Sequence, residues 1–129
     1  SAVRWLLSRN DPHHKDFVLV FTPPIPAGET RRIRTGYRWP QFAADLIGPK
    51  RSTEFSFRFR SRDPADVAAV EMQFTFDTGL GAVEMVLKDP TLGELIPSGD
   101  GASVKRVWLF RAPTMKMHDT QLVVLAKLP

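Results

Sequence analysis

The stretch Thr53-Glu-Phe-Ser-Phe-Arg-Phe-Arg-Ser-Arg-Asp63 carries the clearest structural pattern in this chain. Phenylalanine occupies every second position from residue 55 to residue 59, and serine or arginine occupies the positions between them. Because successive side chains of a β-strand point to opposite faces, this alternation predicts a strand with one aromatic and one cationic face. We expect the aromatic face to pack in the protein core and the cationic face to be exposed to solvent.

Similar alternation along the rest of the chain predicts an all-β protein. About eight short apolar segments are separated by turn residues, and helical patterns are limited to one or two turns near residues 41–47. The other predicted strands include residues 2–8, 70–76, 82–88, 104–110 and 121–127. Because amphipathic strands must bury their apolar faces against a second layer, we predict an antiparallel β-sandwich, immunoglobulin-like or C2-like, with a closed barrel as the alternative.

Three further segments carry specific structural predictions. Residues 17–21 form a continuous apolar run, which predicts a strand buried on both faces. Residues 30–39 predict a strand with Tyr37 and Trp39 on one face and arginines on the other. Residues 78–81 contain Thr-Gly and predict the turn of a hairpin between the two strands that flank them.

Length and composition indicate the class of protein. A chain of 129 residues can bury a sizeable core, so we expect residues 1–129 to form a single β-sandwich domain. The chain begins with serine, from which we expect a domain cut from a larger multidomain protein. The absence of cysteine is typical of a reducing compartment, and we expect a cytoplasmic location. No apolar run approaches the roughly 20 residues of a membrane-spanning helix.

Positive charge is concentrated in one window of the sequence. Residues 31–62 contain nine Lys or Arg against two Asp or Glu, a sum of 9 − 2 = +7. The rest of the chain contains nine Lys or Arg against twelve Asp or Glu, a sum of 9 − 12 = −3. A basic window of this kind attracts an anionic partner, but it does not indicate the fold.

Arginines of this window form the predicted binding site. If the strand at 30–39 pairs with the strand at 53–63, their polar sides line one sheet face that can bind carboxylates or phosphates. The predicted partner-binding residues are Arg32, Arg34, Arg38, Arg58, Arg60 and Arg62. We expect them to bind an acidic protein surface or another domain of the same polypeptide, with nucleic acid or anionic lipid as alternatives. The simpler interpretation is a solvated face whose arginines pair with carboxylates on neighbouring strands.

Phe76-Asp77-Thr78-Gly79 resembles the signature of retroviral-type aspartic proteases. The resemblance implies a dimer in which two Asp77 side chains share one proton. It covers these residues alone, and Leu80 follows where the family has a small residue. A turn in which Asp77 precedes Thr-Gly explains the same residues, so we expect a non-catalytic protein and keep the protease as a remote alternative.

Other catalytic and metal chemistry has little support in the residue pattern. The absence of cysteine removes thiol nucleophiles, and no Gly-x-Ser-x-Gly motif occurs. His13 and His14 are adjacent, so on an extended segment they point to opposite sides and only one could serve a given site. We therefore expect neither a metal ion nor a cofactor.

A third class of function is a sandwich or barrel that binds a small apolar ligand. This class predicts a cavity between the two layers, because an apolar ligand must be removed from water. The expected lining residues are Phe55, Phe57, Phe59, Phe74 and Phe76.

Overall fold

The structure, a computed structural model, describes residues 2–36, 38–61, 63 and 65–129 and confirms a mostly β chain. Its strands are β1 (Ala2–Asp11), β2 (His14–Thr22), β3 (Ser52–Phe57), β4 (Val67–Thr75), β5 (Val83–Leu87), β6 (Glu94–Pro97), β7 (Val107–Lys116) and β8 (Gln121–Lys127). The helical elements are the α-helix α1 (Pro40–Ile47) and two 3-10 helices, Thr78–Leu80 and Gly99–Val104. The chain divides into a first unit, Ser1–Gln41, and a second unit, Phe42–Pro129.

The second unit contains the predicted β-sandwich. One sheet has the strand order β3-β8-β5, the other has the order β4-β7-β6, and every pairing is antiparallel. The central strands β8 and β7 bury alternate residues, as expected where one face of a sheet packs on a second sheet. The buried core cluster consists of Leu46, Phe76, Leu80, Val83, Met85, Trp108, Val123 and Leu125.

Aromatic rings pack between the two sheets. Phe55 of β3 contacts Phe74 of β4 edge-on with ring centroids 5.6 Å apart, and Phe57 contacts Phe110 of β7 at 5.0 Å. Edge-to-face pairs of this kind stabilise a core beyond their buried area, typically by about 1 kcal/mol. Because these contacts join β3 to the opposite sheet, they confirm the predicted core-facing side of the 53–63 stretch.

The strand predicted from the 53–63 stretch is shorter than its sequence pattern. The last residue of β3, Phe57, lies opposite Gln121, which is the first residue of β8. Beyond Phe57, β8 offers no further residue for the hydrogen-bond ladder, so the strand ends there. The alternation of burial nevertheless continues, with Phe59 half-buried between two exposed arginines.

The hairpin predicted at residues 78–81 is wrong. β4 and β5, which flank these residues, lie in different sheets, so the connection passes from one layer of the sandwich to the other. It forms the 3-10 helix Thr78–Leu80, and Leu80 is buried in the core. Thr-Gly turn chemistry is local and cannot show which sheet the next strand joins.

Helix α1 confirms the helical turns predicted near residues 41–47. Pro40 occupies its first position, where the missing N–H costs no intrahelical hydrogen bond. Leu46 is fully buried in the core of the second unit. Thr53 Oγ1 of β3 donates a hydrogen bond to Asp45 Oδ2 at 2.9 Å, which ties this part of the helix to the sheet beside it. None of the described helices is long and apolar enough to cross a membrane.

Gln121 is a fully buried polar residue that the sequence pattern does not single out. Its Nε2 donates hydrogen bonds to the carbonyl oxygens of Asp89 at 2.8 Å and Leu92 at 2.7 Å. Its Oε1 accepts from the backbone N–H of Asp89 at 3.2 Å and of Leu122 at 3.1 Å. The side chain therefore holds the loop between β5 and β6 against the start of β8.

We expect Gln121→Leu to lower the free energy of unfolding by about 2–3 kcal/mol, because the substitution leaves partly buried backbone groups of the loop without partners. Urea unfolding followed by circular dichroism measures this change. Gln73→Leu, on an exposed position of β4, is the matched control and should change stability by less than about 0.5 kcal/mol. Equal losses of unfolding free energy in the two variants would contradict the conclusion that Gln121 holds the β5–β6 loop against β8.

The first unit contains a β1–β2 hairpin with apolar residues on both faces. Trp5 lies opposite Leu19 on one face, and Leu6 lies opposite Val18 on the other. The prediction that residues 17–21 are buried on both faces is wrong, because the three central residues of this run are 42–45% exposed. An apolar run predicts a strand with two apolar faces, but it cannot supply the layers that would cover them. In the described part of the first unit, β1 and β2 pair only with each other.

Candidate interaction surfaces

The strand predicted at residues 30–39 is wrong, because the described residues of this segment form no strand. Arg32 and Arg34 are exposed on either side of the half-buried Ile33, and Arg38 is also exposed. This alternation is that of an extended segment, but a strand additionally needs a hydrogen-bonded neighbour, and none pairs with the described residues here. The arginines still face solvent.

Arg58 and Arg60 lie just beyond the end of β3, and both are exposed. β3 pairs with β8 and not with the 30–39 segment, so the predicted sheet face built from two neighbouring arginine rows is wrong. Tyr37 and Arg62, which belonged to that prediction, lie outside the described residues. The predicted site is therefore described as two groups: the first-unit arginines (Arg32, Arg34 and Arg38) and the second-unit arginines (Arg58 and Arg60).

Both groups keep their guanidinium donors available. Among the residues that the structure describes, none of these five arginines forms an ion pair or a side-chain hydrogen bond. Other arginines are paired: Arg9 Nε lies 2.6 Å from Asp11 Oδ2, and Arg111 Nε lies 3.6 Å from Glu71 Oε2. Arg111 and Glu71 are directly opposite in the β4–β7 ladder, which is the cross-strand pairing expected of a solvated sheet face. Pairing with a carboxylate on a neighbouring strand is therefore observed for Arg111. It is not observed for the described first-unit or second-unit arginines.

Asp77 precedes the 3-10 helix Thr78–Leu80 and its side chain is exposed. The backbone N–H of Leu80 donates to the Asp77 carbonyl oxygen at 3.0 Å, and the carboxylate makes no capping hydrogen bond. The Asp-Thr-Gly residues therefore form the start of a turn between the two sheets. The protease alternative requires a second Asp77 across a dimer axis and stays a prediction.

The histidines lie in separate parts of the chain's secondary structure. His14 Nε2, on β2, lies 2.9 Å from Asp16 Oδ1, and His118 lies in the turn between β7 and β8. Within residues 2–36, 38–61, 63 and 65–129, no group of three or more His, Cys, Asp or Glu side chains is arranged to hold a metal ion.

Charged and aromatic side chains meet at the tip of the hairpin. The hydrogen bond that Arg9 Nε donates to Asp11 Oδ2 lowers the pKa of the Asp11 carboxyl below its usual value, and the positive charges of Arg9 and Lys15 add to this effect. Lys15 Nζ lies 5.4 Å from the centre of the Trp39 ring, and Trp39 Nε1 donates to the Pro12 carbonyl oxygen at 2.6 Å. Trp39 thus packs on the tip from a segment that follows the first-unit arginines.

Four of the five phenylalanines assigned to an apolar-ligand cavity, Phe55, Phe57, Phe74 and Phe76, contact another ring or belong to the buried core cluster or pack against it. Phe55 and Phe57 lie 5.7 Å apart, each also contacts a ring of the opposite sheet, and Phe76 is itself part of the buried cluster. Rings in mutual contact fill the space that a ligand would need. The described core therefore offers no observation in favour of this alternative.

Comparison with protein-family models, with curated proteins and with solved structures finds no match for this chain.

Proposed function

We propose that this chain is a non-catalytic interaction module that binds an acidic protein surface through its exposed arginines. One observation carries the proposal: the five described arginines of the two groups are exposed and, within the described residues, make no ion pair. A guanidinium group that is not satisfied within its own chain keeps five N–H donors for the carboxylates of a partner.

The charge distribution supports an anionic partner. The window 31–62 sums to +7, whereas the rest of the chain sums to −3. A local excess of this size raises the rate of encounter with acidic surfaces, and the effect weakens as salt shortens the Debye length to about 8 Å at physiological ionic strength.

The position of the aromatic rings beside the second-unit arginines favours protein over single-stranded nucleic acid. Binding to unpaired bases combines cationic side chains with exposed aromatic rings on which the bases stack. Phe55 and Phe57 instead pack between the sheets, and Phe59 is half-buried between Arg58 and Arg60. Arg58 and Arg60, whose neighbouring phenylalanine rings are half-buried, are therefore suited to carboxylates.

The proposal is tested by comparing double variants that each remove two positive charges. Fluorescence anisotropy with labelled polyglutamate measures the dissociation constant of the unmodified chain and of Arg32→Gln/Arg34→Gln and Arg58→Gln/Arg60→Gln. We expect each double variant to weaken binding by about tenfold, because each lost arginine removes on the order of 0.7 kcal/mol of contact energy. Binding by the unmodified chain should also weaken as salt is added.

Arg9→Gln/Arg111→Gln is the matched control, because it removes the same charge from arginines that already have carboxylate partners. We expect this control to weaken binding by less than about threefold. An equal loss in the control would show that net charge alone matters, and tighter binding to a single-stranded oligonucleotide or to phosphatidylserine vesicles than to polyglutamate would overturn the choice of partner.

A further inference from the structure

The β1–β2 hairpin exposes apolar side chains on both of its faces. Each is between 37% and 57% exposed. The residues concerned are Val3, Trp5, Leu6, Leu7, Phe17, Val18, Leu19 and Val20. These side chains lie on two opposite faces of the hairpin, so each face presents its own apolar patch.

A two-stranded hairpin by itself is only marginally stable in water, because each strand has a single neighbour and neither face is covered. The described part of the first unit supplies no third strand. The exposed apolar side chains and the two-stranded topology together point to a partner that extends the sheet.

The outer edge of β2 lacks the features that keep sheet edges from pairing. Proteins protect such edges with charged residues, proline or bulges. β1 carries Arg4 and Arg9 and has an irregular register between Leu7 and Arg9. β2 carries no charge and no proline from residue 17 to residue 22. Of the two edges, that of β2 is therefore the one open to a further strand.

We propose that β2 pairs with β2 of a second copy of this chain, antiparallel and centred on Leu19. The uncharged run 17–21 has Leu19 at its middle, and antiparallel pairing about Leu19 is the register that places all five apolar residues opposite apolar residues. Val18 then lies opposite Val20 of the second copy. The result is a four-stranded sheet with the order β1-β2-β2-β1.

Charge and symmetry favour a second copy over an unrelated chain. An isologous interface must be self-complementary, because a residue i of one copy that meets residue j of the other requires j of the first to meet i of the second. In the register centred on Leu19, Asp16 lies opposite Thr22, so no like charges oppose one another. Because both faces of β2 are apolar, pairing along its edge also covers side chains on both faces, which stacking of one face on another does not.

A chain without cysteine allows a direct test by single-cysteine crosslinking. Directly opposite residues of antiparallel strands bring their Cβ atoms within about 5 Å, near the reach of a disulfide. We expect Leu19→Cys to give a disulfide-linked dimer under mild oxidation, whereas Val18→Cys, opposite Val20, should crosslink several-fold more slowly. Val86→Cys is the matched control, because Val86 is 57% exposed on β5, an edge strand of the sandwich, and this variant should form no disulfide-linked dimer although its β2 edge is unchanged.

Light scattering after size-exclusion chromatography gives an independent reading on the unmodified chain. We expect a dimer at micromolar concentration, a dissociation constant at least tenfold weaker for Val18→Lys, and no change for Val86→Lys, with circular dichroism confirming that both variants are folded. The proposal is overturned by a monomeric unmodified chain, by equal crosslinking of Val86→Cys and Leu19→Cys, or by a dimer that Leu19→Cys fails to crosslink. Recruitment of the hairpin to lipid vesicles without dimer formation would overturn it as well.

Discussion

Gly93→Ala is expected to be among the most destabilising single methyl additions in the sandwich, with a loss of about 3 kcal/mol or more. Gly93 immediately precedes β6 and has φ = +101°, a conformation that residues with a Cβ rarely adopt. A Cβ at this position would lie 2.6 Å from the Arg111 carbonyl oxygen and 2.8 Å from the Phe110 ring. One neighbour is backbone and the other is a fully buried ring, so neither can move away cheaply.

Two other glycines separate the strain of the backbone from the clash. Gly81 also has positive φ, at +71°, but a Cβ there meets nothing within 4 Å, so Gly81→Ala should cost about 1–2 kcal/mol. Gly79 has neither feature, so Gly79→Ala should change stability by less than about 0.5 kcal/mol. Urea unfolding of the three variants measures the series, and a Gly93→Ala variant no less stable than Gly81→Ala would contradict the close approach of β6 to β7.

Trp108→Ala is expected to cost about 3–5 kcal/mol, as is usual for truncating a large buried aromatic residue. Trp108 lies on β7 and is 4% exposed. Its Nε1 donates to the Val83 carbonyl oxygen at 2.9 Å, and Val83 begins β5 in the opposite sheet. The same N–H lies 3.3 Å from the carbonyl oxygen of Lys105. The side chain thus links the two layers by a hydrogen bond as well as by packing.

Trp108→Phe isolates the hydrogen bond, because phenylalanine retains an aromatic ring but has no N–H. We expect a loss of about 1–3 kcal/mol, part of it from the unpaired Val83 carbonyl and part from the smaller ring. Trp5→Phe, at a position 49% exposed on β1, is the control and should change stability by less than about 0.5 kcal/mol. Equal losses of stability in the two Trp→Phe variants would contradict a stabilising role for the hydrogen bond between Trp108 and Val83.

The alternation of residues along single strands predicted much of the sandwich. The segment predicted at 121–127 is β8 with both ends unchanged, and the alternating residues of 70–76 lie in β4 and its extension to Phe76. These predictions succeeded because the alternation of side chains between the two faces of a strand depends only on residues adjacent in the chain. The segment predicted at 104–110 is β7, but it begins at Val107 and continues to Lys116, because residues before it form a 3-10 helix. The ends of strands depend on where a partner strand is present.

The arrangement of the candidate arginine surface was predicted less completely than the fold. Exposure of Arg32, Arg34, Arg58 and Arg60 followed from the alternation, since a cationic group loses hydration when it is buried. The assumption that two arginine segments were paired strands did not hold, because β3 pairs with a strand that is about 65 residues further along the chain. The sequence pattern predicted neither the burial of Gln121 nor the exposed edge of β2. Both depend on which segments of the folded chain lie next to these residues.

By itself, the sequence determined that the chain forms short amphipathic strands, that Phe55 and Phe57 face a core, and that positive charge is concentrated in residues 31–62. Only the tertiary structure decided which strands are neighbours, that the Thr78–Leu80 connection passes between sheets, and that Val18, Leu19 and Val20 of the apolar run are exposed on a hairpin. The physical reason is that side-chain alternation is encoded between adjacent residues. Strand pairing and burial, in contrast, depend on contacts between residues that are far apart in the chain.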